Sequence, residues 1–203
     1  VGADVVIAVG GGSVMDCAKA AGALAPRGDA GIRPWHAAGQ VPAGDRLPVI
    51  AVPTTAGTGA EVTPFAVLDD PERGVKAPIA GPSLYPALAV VDPELTHGLP
   101  LAVTAATGLD ALCHALEAYW SRNHQPMCDL LAMEAARLIF RWFETVCRTP
   151  AHREGRRAMA YAATVAGAAF QLPKNAMVHA CSYPLSSRFH LPHGSACAFT
   201  LEY

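Results

Sequence analysis

Asp110 and His114 stand four residues apart in the segment Thr107 to Trp120, TGLDALCHALEAYW. In a helix that spacing aims both side chains from one face toward a common point, and Glu117 falls on the same face. Two further imidazoles follow, His179 at the end of an apolar segment and His193 in Pro192-His193-Gly194. One carboxylate and three imidazoles form a ligand set for a catalytic divalent ion, and these donor types suit Fe(II), Zn(II) or a related metal without choosing among them. At the other end of the chain an apolar run leads into Gly10-Gly11-Gly12-Ser13, a turn able to hold a phosphate. A nucleotide site and a metal site on one chain point to redox chemistry on a small alcohol or aldehyde.

Each of these residues also has a purely structural reading. Thr107-Gly108-Leu109-Asp110 resembles a capping box, in which the acid closes a helix start. His114 also reads as a hydrogen-bonded histidine at a helix packing surface. His190, three residues before His193, either faces an active-site cleft or lies on the surface. His36, His97, His124 and His152 have no partner at ligand spacing. Cys113 and Cys181 adjoin the candidate ligands in sequence and should point elsewhere, into packing.

In the first half, the glycines after the strand let a backbone turn approach a phosphate, Ser13 adds a hydroxyl, and the following helix adds amide donors and a positive dipole end. The pattern is GGGSxxD rather than GxGxxG, and a glycine-rich turn of this kind is often only structural. Asp16 reads as an acid in a first helical turn or as a cofactor contact. Thr54-Thr55-Ala56-Gly57-Thr58-Gly59 can offer hydroxyl and amide donors to phosphate and ribose, or serve as an ordinary loop. Lys76 is a surface charge or a lysine reaching the cofactor.

The elements that must position these groups fall into two textures. Residues 4–9 form a continuous apolar run, as expected of a parallel strand covered on both faces. A helix is expected over 13–24, an irregular Gly/Pro/Ala stretch over 27–46, a buried strand over 48–53, a hairpin pairing 65–68 with 76–79, and a last strand over 88–91. After Pro100 the chain turns Ala/Leu-rich, with helices near 101–121, 126–147, 151–170 and 174–188. The expected fold is therefore an α/β nucleotide-binding domain over 1–97, with a partial parallel, Rossmann-like sheet, followed by an all-α metal-binding domain over 98–203. With 52% hydrophobic and 16% charged residues, the chain has ample core-forming sequence. A net charge of -2 gives no electrostatic reason to expect nucleic acid or an anionic membrane. No apolar run reaches the length of a membrane span. Six scattered cysteines without a CxxC fit reduced thiols in a cytoplasmic protein. The chain opens directly on a buried-type strand and stops at Leu201-Glu202-Tyr203, so a piece of a longer protein is expected, with parts missing on both sides.

GGGSVMDCAK (10–19), PTTAGTGAEVT (53–63), VVDPEL (90–95), GLDALCHALEAY (108–119) and PHG (192–194), in this order, resemble the iron-containing (group III) alcohol dehydrogenase family. The resemblance covers the central half of such proteins. It implies metal ligands at Asp110, His114, His179 and His193, a diphosphate turn at Gly11, Gly12 and Ser13, and phosphate and ribose contacts at Thr54, Thr55 and Thr58. It implies NAD or NADP as hydride carrier, Fe(2+) or, as an alternative, Zn(2+), a small aldehyde or alcohol as substrate, and a homodimer or larger homo-oligomer. Many members carry a histidine four residues after the third ligand. Here that position is Tyr183, a departure that puts the family's usual proton relay in doubt; its hydroxyl is left to hydrogen-bond substrate or cofactor, beside the other catalytic candidates His193 and His190. The segment SYPLSSRFHLPHGSACAFTL resembles the phosphonoacetaldehyde-reducing branch, whose anionic substrate would need a cation such as Arg188 or Lys174. Two rival expectations are a metal-independent reductase of the maleylacetate type and a truncated, non-catalytic remnant.

Overall fold

The structure, a computed structural model, describes residues 2–70 and 72–201; Val1, Pro71, Glu202 and Tyr203 lie outside the described residues. Pro71, in the connection of the expected hairpin, and Glu202-Tyr203 at the chain end are therefore not described.

Strand β1 (Val6–Gly10) leads into helix α1 (Gly12–Leu24), a 3-10 turn (Ala25–Ala30) and the short helix α2 (Arg33–Ala38). These last two elements lie in the stretch expected to be irregular, where Pro26 and Pro34 each open a helical turn. Strands β2 (Val49–Pro53), β3 (Phe65–Asp70), β4 (Val75–Ala80) and β5 (Leu88–Ala89) follow. β1, β2 and β5 form a parallel sheet in that order, with Val6 opposite Val49 and Gly10 opposite Pro53. β3 and β4 form a separate antiparallel hairpin running from Phe65 opposite Ala80 to Asp70 opposite Val75.

A right-handed return from a parallel strand lays its helix back on the sheet. Accordingly Met15 of α1 packs with Ala8, Val49, Ala51 and Ala60. Farther along α1, Ala20 and Ala23 join Trp35, Val41, Ala66, Ile79 and Leu84 in a core shared with α2 and the hairpin. The expectation that β1 is covered on both faces does not hold: Ile7 and Val9 are 61% and 57% exposed. α1 covers one face of the sheet; on the other, Ile7, Val9 and Leu88 are exposed while Ile50 and Val52 are half-buried.

Lys19 is fully buried. Its ammonium donates to the carbonyls of Ala60 (2.9 Å) and Thr63 (3.3 Å) and pairs with Asp16 at 3.2 Å. Asp16 in turn accepts from the Val67 amide at 2.9 Å, which ties α1 to β3. Burial pushes the Asp16 carboxyl up and the Lys19 ammonium down from their ordinary values, each held back by the charge of the other.

The helical part comprises α3 (Leu101–Trp120), α4 (Pro126–Arg148), α5 (Arg153–Ala169), α6 (Met177–Phe189) and α7 (His193–Leu201). α4 buries one stripe, Cys128, Ala132, Ala135, Ile139 and Val146, while α3 is buried on most of its circumference because α4, α5 and α7 surround it. Arg156 on α5 donates to Thr104 Oγ1 on α3 at 2.9 Å, and to the Pro150 carbonyl at 2.8 Å. α7 occupies a stretch read from sequence as a Pro-His-Gly turn. Pro192 supplies the first carbonyl, accepting from Ala196 N at 2.9 Å, so the turn is a helix start.

The chain divides into two compact units, Val1–Pro53 with Ala60–Val90, and Thr54–Gly59 with Val91–Tyr203. The division falls earlier than position 97, because the 3-10 turn Pro93–Thr96 packs on α5. The loop 54–59 belongs with the helices for a steric reason. Gly59 has φ +62, and a Cβ there would stand 2.4 Å from Gly167 Cα on α5.

Lys19→Met would leave the Asp16 carboxylate buried without its counter-charge. The expected loss is about 3 kcal/mol in urea unfolding, and adding Asp16→Asn should recover part of it.

Candidate metal centre

One stripe of α3 builds the site. Asp110, His114 and Glu117 are buried at helical spacing, and Ser121 closes the helix, its hydroxyl donating to the Pro173 carbonyl at 2.9 Å. Asp110 lies in the middle of α3, which removes the capping reading of Thr107–Asp110.

Glu117 has no exposed surface and three donors. Oε1 accepts from the amides of Ala176 (3.0 Å) and Val178 (2.8 Å), and Oε2 accepts from His179 Nδ1. Ala176 has no side-chain cap of its own, so a carboxylate from another helix closes the N-terminus of α6. The same contact fixes the His179 tautomer and turns its Nε2 toward Asp110 Oδ1, at 3.5 Å. His193, first residue of α7, brings its Nε2 to 3.6 Å from the same oxygen. Its Nδ1 faces Ser182 Oγ at 3.4 Å, and that hydroxyl donates to the His179 carbonyl at 2.8 Å.

α7 reaches this position only because residue 194 is glycine. A Cβ there would lie 1.8 Å from the Ala106 carbonyl oxygen and 2.9 Å from Asp110 Cβ.

His114 lies flat between two rings, 4.3 Å from Phe170 and 4.4 Å from His179 between centroids. Asp110 Oδ1, His114 Nδ1 and His179 Nε2 are buried and have no hydrogen-bond partner. Buried polar atoms normally find one, and Asp110 Oδ1 and His179 Nε2, which face each other at 3.5 Å, are atoms that a shared ion would satisfy. The 3.5 and 3.6 Å separations are close to the roughly 3.4 Å edge of a tetrahedron whose metal bonds are about 2.1 Å. The residues therefore fit a divalent ion.

Proton affinities differ across the cluster. Burial alone would raise the Asp110 carboxyl, but the attraction of His114, His193 and His179 outweighs it and holds it well below the usual range. Burial lowers His114 to about 4, with Asp110 opposing only in part. His179 and His193 lie above their ordinary values, because hydrogen bonds and nearby acids overcome their burial.

Sequence reasoning passed over Cys197. Its sulfur is 3.8 Å from His193 Nε2, and Asp110, His179, His193 and Cys197 each present a donor atom within 4.8 Å of the others. The spacing His193-x-x-x-Cys197, one helical turn, was the available signal. Cys113, expected in packing, is buried with Val178 and Cys197; Cys181 is exposed.

The other candidates are placed as follows. Tyr183 stacks on His193 at 6.0 Å with rings nearly parallel, and burial raises its phenol. His190 is exposed in the left-handed region at the end of α6. Arg188 is exposed in the last turn of α6, and Lys174, at φ +62, lines a hollow of about 820 Å³ together with Trp120, Arg122 and Asn123. Neither cation forms a hydrogen bond or ion pair with the Asp110 cluster among the described residues. Gly11 is the N-cap of α1, its carbonyl accepting from Val14 and Met15 at 3.1 Å, with Gly12 and Ser13 in the first turn. Asp16, expected as a cofactor contact, is instead turned inward to Lys19 and Val67, which hold its carboxylate away from solvent. Lys76 lies on β4 opposite Asp69. Thr54, Thr55 and Thr58 are half-buried in the loop that packs with the helices.

Glu117→Gln preserves shape but replaces one acceptor oxygen by a donor. Metal affinity should fall about 10- to 100-fold, read by titrating the ion into protein purified without it.

Residues 1–93 match the iron-containing alcohol dehydrogenase family and residues 104–203 match the C-terminal part of the Fe-containing alcohol dehydrogenase family. The chain is 45% identical to phosphonoacetaldehyde reductase of Streptomyces viridochromogenes, over 98% of this chain and 52% of that protein. It is 40% identical to 1-propanol dehydrogenase of Salmonella typhimurium, over 97% of this chain and 50% of the relative. The crystal structure of sulfoacetaldehyde reductase from Bifidobacterium kashiwanohense in complex with NAD+ superimposes with a TM-score of 0.94 at 46% identity, covering 98% of this chain and 53% of that one. The chain thus spans about half the length of the relatives it matches. With two adjoining matches that together run through nearly all of it, this chain belongs to the iron-containing alcohol dehydrogenase family.

Proposed function

We propose that this chain carries the metal centre and part of the nucleotide site of an NAD-linked alcohol dehydrogenase that works as an aldehyde reductase. The observation that carries the reading is the convergence of Asp110, His179 and His193 on one point, with buried donor atoms that no hydrogen bond satisfies. Asp110, His114, His179 and His193 would hold the ion, for which the family favours Fe(2+). When bound, such an ion supplies Lewis acidity to a carbonyl oxygen, and the nicotinamide supplies the hydride.

The protein's own groups do the positioning. Glu117 and Ser182 keep the Nδ1 sides of His179 and His193 occupied, so both Nε2 lone pairs stay aimed inward. Tyr183, with its phenol pushed up by burial, remains protonated at neutral pH and serves as a hydrogen-bond donor rather than a base. At the start of α1, Gly11, Gly12 and Ser13 present backbone amides and a hydroxyl to a diphosphate.

For the substrate we propose a two-carbon aldehyde bearing a phosphonate or sulfonate. The relatives acting on phosphonoacetaldehyde and sulfoacetaldehyde, at 45% and 46% identity, support this class. Arg188 or Lys174 would supply the cation.

His193→Ala should remove metal and turnover together, checked by elemental analysis and by NADH oxidation with an aldehyde panel. A variant that turns over at the original rate in chelator would overturn the metal assignment. Arg188→Ala should raise KM for a phosphonate or sulfonate aldehyde by roughly tenfold or more and leave a neutral aldehyde unaffected; equal effects on both would remove the anionic-substrate reading.

A further inference from the structure

We propose that Cys197 is itself a donor to this centre, giving the site a second, sulfur-containing ligand set made of Asp110, His179, His193 and Cys197. The proposal rests on the reading of the cluster as a metal site and concerns which ion it can hold and through which atoms.

The four donor atoms all lie within 4.8 Å of one another. Two of the separations are 3.5 and 3.6 Å, and His193 Nε2 to Cys197 Sγ is 3.8 Å. Metal bonds of about 2.1 Å to nitrogen or oxygen and 2.3 Å to sulfur predict tetrahedral edges of roughly 3.4 and 3.6 Å. Cys197 has no exposed surface, and it follows His193 by one turn of α7, so both side chains leave the helix on the same face. The close seating of Gly194 on Ala106 leaves α7 little freedom to rotate them apart.

Two unsatisfied atoms, Asp110 Oδ1 and His179 Nε2, each in a residue only 2% exposed, face this same point. His114, by contrast, is held between Phe170 and His179, and its ring is not part of the four-atom group. Two ligand sets therefore share Asp110, His179 and His193 and differ in the fourth member. With His114 the site is three nitrogens and an oxygen; with Cys197 it is two nitrogens, an oxygen and a sulfur. Thiolate is a soft donor and favours Zn(2+), Co(2+) or Cd(2+) over Fe(2+) relative to an all-nitrogen and oxygen site. On coordination the Cys197 thiol gives up its proton to solvent and a sulfur–metal bond forms, with no change of oxidation state.

Cobalt(II) provides the test, because a cobalt-bound thiolate adds a near-ultraviolet charge-transfer absorption that imidazole and carboxylate do not. The complete protein, stripped and reloaded with Co(2+), should show that band, and Cys113→Ala should keep it. Cys197→Ala should lose it while still binding Co(2+) through the remaining ligands. If that variant fails to fold, Cys197→Ser answers the same question, since a hydroxyl gives no such band. Stoichiometric Co(2+) binding without the band in the unaltered protein, or a band that survives Cys197 replacement, overturns the role of Cys197 and leaves the metal site intact. No Co(2+) binding at all overturns both.

Discussion

The carboxylate of Glu117 is the constraint on which the helical unit's chemistry depends. A fully buried acid costs several kcal/mol to desolvate, and this one is compensated by two backbone amides and one imidazole N–H. Charge-assisted hydrogen bonds of this kind are roughly twice as strong as neutral ones. Because those donors all come from the start of α6, the bond that stabilises the acid also fixes where α6 begins and which way His179 faces. Loss of any partner would leave the other groups buried and unsatisfied, so the arrangement is cooperative.

α3 is the spine of this arrangement. Its one stripe carries Asp110 to His179 and His193, His114 to Phe170 and His179, Glu117 to α6, and Ser121 to the loop at Pro173. Thr104, a turn and a half before Asp110, receives Arg156 from α5. α7 then closes against α3 at Gly194, where a single missing Cβ sets the distance between His193 and Asp110. The three helices are joined at backbone groups, α6 through its first amides and α7 through Gly194, and are not merely packed.

The α/β unit uses a different device. Lys19 and Asp16 form a buried pair whose remaining bonds go to Ala60, Thr63 and Val67, so α1 is locked to the segments on either side of β3's start. That lock lies one turn beyond the strand-to-helix turn at Gly11 and Gly12, where α1 begins. Asp16 is thereby part of the scaffold behind that turn.

Much of the site is legible in the residues alone. The four-residue interval between Asp110 and His114 sets a helical face whatever surrounds it, the apolar run before Gly10 dictates a strand, and the alanine-rich second half can only pack as helices. Those features are local, and local periodicity is what a sequence records directly. His179 and His193 are legible as candidate ligands by residue type and setting, and the family motifs add their place in the set. Only the tertiary structure shows that Glu117 closes α6 from another helix, that His114 is wedged between Phe170 and His179, and that Cys197 comes within 4.8 Å of the Asp110 donor atom. It also shows Asp16 turned inward and the threonine loop seated on α5 through Gly59. Each of these depends on contacts between residues dozens of positions apart, where a single Cβ or one backbone amide decides the outcome, and no pattern along the chain encodes that distance.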